Sequence, residues 1–202
     1  ENGHPVNNFT LADRSGHKAY PRYGKGTWAI HVVLNGDIDN YPALRRNLEA
    51  GRELIAPEMT TDTKIIPLQV ERYLLAGHDL AEAFRLAVND FEGSHAIAMT
   101  SDLEPGKVFL ALKGSGQTIY VGLAPDKYVF SSELYGLVEG TPWFIKMDGE
   151  TPADPDDPES TGQVFVLHQE SAGHLAGIRA FAYDGSPLAL GESSVKRAEM
   201  TT

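Results

Sequence analysis

Hydrophobic positions fall into three regimes along the chain. The first 26 residues, rich in Gly, Asn, His and Lys, show little periodicity and read as loop. "TWAIHVVL" (27–34) is apolar and β-branched enough for a buried strand. Helical spacing then takes over. Asn40 is placed to cap a helix to about Ala50, with Leu44 and Leu48 on one face and Gly51 as its stop. "TTDTKIIPLQVERYLLAG" (60–77) predicts a second helix, capped by Thr61 or Asp62. Its broad apolar face is Ile65, Ile66, Leu68, Val70, Tyr73 and Leu74, with Pro67 tolerated in the early turns. Asp79 and Glu82 form a capping-box-like start to a third helix, with Leu80, Ala83, Phe84, Ala87, Val88 and Phe91 at helical spacing before Gly93.

Beyond Gly93 the period shortens. Strands are expected at 94–100, 107–113, 118–123, 127–132, 141–147 and 162–168, with a turn at Asp184-Gly185. The acidic, proline-rich stretch 148–162 reads as an exposed loop, and 191–202 as a tail or linker start. One strand, helices, then many strands define an α+β domain of helices packed on antiparallel sheets. A doubly wound fold does not fit, because helices do not alternate with the later strands.

The chain has 202 residues, 42% hydrophobic, enough for one domain with a sizeable core. A net charge of −11 argues against nucleic-acid or anionic-membrane partners. No apolar run approaches a membrane span and no signal-peptide pattern is present, so a cytoplasmic location is expected. The absence of cysteine excludes disulfides, thiolate metal sites and any cysteine nucleophile within these residues. His31, His95 and His168 have no ligand spacing, and Asp37 and Asp39 fit a turn better than a metal, so no metal and no cofactor are expected.

The apolar run 32–34 ends in Asn35-Gly36. On local evidence this pair is a turn, the commonest use of Asn-Gly. The other reading is chemical: a side-chain amide and a bare backbone N–H at a strand end can form an oxyanion hole, and glycine permits close substrate approach. For Asp62 an N-cap and a ligand role stand equally open.

The order and spacing of "NG-IDN--LR" (35–46), "TDT" (61–63), "G-DL-EA" (77–83), "EG--AIA" (92–98) and "KGSG---VGL" (113–123) resemble the class II, N-terminal-nucleophile glutamine amidotransferase family, specifically the domain found in glutamine–fructose-6-phosphate aminotransferases. The resemblance runs from about His4 to Leu137 and more loosely to the end. It implies an α/β/β/α sandwich, incomplete at the N-terminus, with an amidotransferase domain over 1–190. It implies hydrolysis of glutamine to glutamate and ammonia, and transfer of that ammonia to a sugar phosphate by an isomerase domain of the parent protein. It places Asn35 and Gly36 in the oxyanion hole, Asp62 on the α-amino group of glutamine, and His4 beside the pocket. The family's nucleophile is an N-terminal cysteine, absent from this sequence, as is the Arg- and Trp-containing segment that binds the glutamine carboxylate. Leu34 stands where the family's common pattern has histidine. The expectation is a fragment of a longer enzyme, inactive alone, with exposed sheet edges that favour a homodimer. Two alternatives remain: a non-catalytic amidotransferase-like binding or regulatory module, and another N-terminal-nucleophile hydrolase, against which Asp62 speaks.

Overall fold

The computed structural model describes residues 8–13, 19–51, 55, 57 and 59–198, and the side chains from 19 onward. In chain order it contains β1 (Asn8–Asp13), β2 (Ala19–Tyr20), β3 (Gly24–Lys25), β4 (Trp28–Gly36), α1 (Tyr41–Ala50), α2 (Ile65–Leu75), α3 (Leu80–Asn89), β5 (His95–Ser101), β6 (Lys107–Lys113), β7 (Tyr120–Ala124) and β8 (Lys127–Ser131). Then follow α4 (Tyr135–Val138), β9 (Trp143–Lys146), β10 (Pro152–Asp154), β11 (Asp157–Thr161), β12 (Gln163–His168), β13 (Ile178–Ala182), β14 (Pro187–Leu188) and β15 (Lys196–Arg197).

Two antiparallel sheets make the body. The larger runs β1-β4-β5-β6-β12-β13-β14 and the smaller β15-β9-β7-β8. Alternation along each strand assigns its two faces. Ile30, Val32 and Leu34 of β4, Ile97 and Met99 of β5, and Phe109 and Ala111 of β6 pack under the helices. Leu110 and Leu112 of β6 with Phe165 and Leu167 of β12 turn the other way, onto Val121 and Ile145 of the small sheet. The layers are therefore helices, sheet, sheet. The expected fourth layer is represented among the described residues by the single turn of α4, whose Leu137 lies over Gly122.

α3 starts as its sequence dictates: Asp79 Oδ1 accepts from the Glu82 N–H at 2.9 Å. The Glu82 carboxylate does not close the box; it pairs with Arg85. Residues 60–77 are not one helix. A 3-10 turn (Asp62–Lys64) precedes α2, and Thr61 caps that turn. Asn40 does not cap α1 with its side chain. Its amide instead donates to the Asp90 carbonyl at 2.8 Å and accepts from the Glu92 N–H at 3.1 Å, because that loop offers both a donor and an acceptor at amide spacing.

Three segments read as irregular are ordered into strands. Residues 8–13, read as loop, form β1 and pair along one edge of β4. The acidic loop 148–162 is a hairpin, β10 with β11, whose corners are held by Asp154 and Asp157 accepting from N–H groups two residues on. The polar end contributes β15, paired with β9. No helix among the described residues is long and apolar enough to cross a membrane.

Candidate active site

β4 carries the site. Because side chains alternate, Leu34 is buried under the helices while His31, Val33 and Asn35 face the opposite way. The leucine at the family's histidine position is thus a core contact pointing away from the Asn35 side chain. The face that holds Asn35 is open: Val33 is 48% exposed there. Asn35 is itself exposed and hydrogen-bonds to none of the described side chains.

At Gly36 the chain takes φ = +106°, and a Cβ here would lie 2.2 Å from the Ser94 carbonyl oxygen. Only glycine fits that approach. Pairing then continues past the strand: the Asp37 N–H donates to Ser94 O at 3.1 Å and the Asp39 N–H to Glu92 O at 3.0 Å. Gly93, at φ = +94°, allows the facing approach, since a Cβ there would meet Asp37 O at 2.7 Å. Two backbones therefore lock together with glycines on both sides. The facing loop is held from behind, where the Asp90 carboxylate accepts from Tyr73 Oη at 2.7 Å and Gln69 Nε2 at 2.5 Å. Burial, then the Asp90 hydrogen bond, pushes the Tyr73 phenol up to about 12.

Asp62 comes to the same end of β4. Its Oδ2 accepts from the Ile38 N–H at 3.1 Å, two residues beyond Gly36. Of the two roles left open for Asp62, the cap falls to Thr61, whose Oγ1 accepts from the Thr63 N–H at 3.3 Å, while the Asp62 carboxylate braces the exit of β4. Asn35, Gly36 and Asp62 are thus brought together, whereas His4 lies outside the described residues.

A cleft of about 1120 Å³ opens beside this end. It is walled by Asp39, Glu92–Ser94, Gly114–Gly116 and the acids of the β10–β11 hairpin, with Lys113 as counter-charge. Lys113 anchors the wall by donating to the Phe91 carbonyl at 3.1 Å, and Ser94 Oγ donates to Lys113 O at 3.2 Å. Under Gly36 lies a buried pair that sequence reading missed, His95 and Tyr183, with Nε2 and Oη 2.9 Å apart. They are 88 positions apart in the chain, and nothing local signals their contact.

Helices lie on one antiparallel sheet stacked on a second, and Asn35, Gly36 and Asp62 stand together at the end of one strand. Residues 11–139 match the family model described as a glutamine amidotransferase domain, and the chain belongs to that family. It is 34% identical over 119 residues to the glutamine–fructose-6-phosphate aminotransferase (isomerizing) of Methanothermobacter thermautotrophicus, covering 59% of this chain and 20% of that protein. It is 29% identical over 175 residues to the enzyme of the same name from Xylella fastidiosa, covering 86% of this chain and 27% of that one. The chain thus spans less than a third of the length of these relatives. Among solved structures, glutamine phosphoribosylpyrophosphate amidotransferase from B. subtilis matches with a TM-score of 0.61 at 17% identity, over 86% of this chain and 31% of that one, and so shares its fold.

Proposed function

We propose that this domain is the glutamine site of an ammonia-producing aminotransferase. The observation that carries the reading is the end of β4: an exposed Asn35 amide, a backbone bent at Gly36, and the Asp62 carboxylate bonded to the chain two residues further on. In this reading a thiolate attacks the γ-carboxamide carbon of glutamine, and the C=O electron pair moves onto oxygen. The Asn35 amide and the Gly36 N–H receive that oxyanion as it forms. The proton given up by the thiol passes to the amide nitrogen, so collapse expels ammonia and leaves a γ-glutamyl thioester; water then hydrolyses it to glutamate and returns the proton to the sulfur. Asp62 holds the α-ammonium group, and His4 borders the pocket. The 202 residues contain no cysteine, so the thiolate comes from a segment outside them, reaching the open face beside Val33 and Asn35. The ammonia passes to a sugar-phosphate isomerase domain of the same cytoplasmic protein, and exposed sheet edges favour a homodimer.

The test uses the whole protein. Asn35→Ala should lower kcat for ammonia release by about two to three orders of magnitude with KM within a few-fold, and Asp62→Asn should chiefly raise KM. Equal loss in kcat and in glutamine binding on Asn35→Ala overturns the oxyanion role. The missing cysteine favours a second reading, a glutamine-binding module without turnover. Saturable, Asp62-dependent glutamine binding by the whole protein with no ammonia released would select it.

A further inference from the structure

In the β4–β5 ladder Gly36 lies opposite His95, and Asn35 opposite Ala96. The His95 ring leaves the sheet on the helix side and is fully buried. Phe91 meets it edge-on at 5.9 Å and Tyr183 lies nearly parallel to it at 6.1 Å between centroids. Its Nε2 is 2.9 Å from Tyr183 Oη, while Nδ1 has no hydrogen-bond partner among the described residues. A neutral imidazole whose Nε2 accepts the tyrosine proton leaves one orphan, the Nδ1–H. The opposite tautomer leaves two, the Nδ1 lone pair and the phenolic hydrogen. Fewer orphaned buried groups favour Tyr183 as donor. Burial, with the Lys113 charge behind it, pushes the His95 imidazole down to about 3 and keeps it neutral.

Tyr183 is itself immobilised. It is fully buried, its carbonyl accepts from Arg85 Nη1 at 2.5 Å, and its ring lies against Gly162 so closely that a Cβ there would sit 2.7 Å from it. The contact therefore runs from a fixed point beyond β13 to His95, and from the His95 backbone to Gly36. One residue earlier, Ser94 O holds the Asp37 N–H.

We propose that His95, held by Tyr183, is a positioning residue: it sets the seat of residues 94–95 beneath Gly36 and so aims the Asn35 amide and the Gly36 N–H. This rests on the oxyanion role given to those two groups above. Without the Tyr183 hydroxyl the imidazole keeps no polar partner, and the 94–95 seat relaxes toward other arrangements. Asp62 is carried by a different element, so substrate binding is spared while transition-state stabilisation falls.

Three variants of the whole protein test this: Tyr183→Phe, His95→Phe and His95→Gln, whose amide reaches the Nε2 position. Tyr183→Phe and His95→Phe should lower kcat for ammonia release five- to tenfold with KM unchanged, and His95→Gln should stay within twofold of wild type. Hydrogen exchange at the Asp37 N–H should speed up at least tenfold in Tyr183→Phe, with the Asp79-capped Glu82 N–H unchanged. Unchanged kcat, parallel loss in kcat and KM, or a His95→Gln variant as impaired as His95→Phe would overturn the proposal. A wild-type protein that releases no ammonia would defeat the amidotransferase reading instead. Exchange at Asp37 would then decide the positioning role: no change in Tyr183→Phe refutes it.

Discussion

Replacing Gly36 by alanine isolates the cost of the close approach at the end of β4. Two penalties act. An L-residue held at φ = +106° is strained by about 1–2 kcal/mol. The new Cβ also lies 2.2 Å from Ser94 O, so the facing loop must retreat and the Asp37-to-Ser94 hydrogen bond is lost, about 1 kcal/mol more. The expected sum is about 3 kcal/mol. Gly24 supplies the matched control. Its φ is +73° and nothing lies within 4 Å of where a Cβ would stand, so Gly24→Ala carries the backbone strain alone, about 1 kcal/mol. Urea denaturation reads the difference. With a slope of about 2 kcal/mol per molar urea, the midpoint should fall by about 1.5 M for Gly36→Ala and about 0.5 M for Gly24→Ala. Equal shifts in the two variants would refute the claim that backbone contact with Ser94, rather than φ alone, demands glycine at position 36.

Further outcomes are open to measurement. The folded-state pKa of His95 is pushed down to about 3 from 6.5 by burial and then by Lys113. Its contribution to stability is complete above the unfolded value near pH 6.5. As the pH falls below that, the unfolded chain takes up a proton the folded one refuses, and stability drops by about 1.4 kcal/mol per pH unit. Urea titrations at about pH 5 and 6 should therefore show a shallower pH dependence in His95→Phe, by about one proton, and identical slopes would refute the assignment. Asp79→Ala should cost about 1 kcal/mol by removing the α3 cap, with Asp79→Ser restoring most of it in the same denaturation assay.

Legibility in the sequence followed locality. α1, α3 and β4–β7 announce themselves because their apolar period is carried within about ten residues. β1 and the β10–β11 hairpin do not. β1 exists through pairing with β4 some way further along the chain, and the hairpin through Asx-type corners in a stretch whose composition resembles loop. Asn40 shows the limit most clearly: its type and place suit a cap, yet tertiary contact offered its amide two better partners at Asp90 and Glu92. Motif order singles out Asn35, Gly36 and Asp62, and the structure places all three at one end of β4. Leu34 was not, since only the strand's alternation shows that it faces the core. The His95–Tyr183 contact needs the fold itself, because Tyr183 follows β13, three strands away from β5 in the sheet, and only the assembled helix-side core brings the two rings together.

The seam between residues 37–39 and 92–94 is made of main-chain hydrogen bonds, which at 37, 39 and 92 do not depend on a particular side chain other than the exclusion of proline as a donor. Descendants of this chain are therefore free to exchange the acids at Asp39 and Glu92 and so retune the charge of the neighbouring cleft. The donors at the end of β4 would stay where they are throughout such drift, provided the glycines at 36 and 93 persist. A structure organised in this way separates what can vary from what cannot: the charge along the rim can be rewritten while the backbone seam is kept.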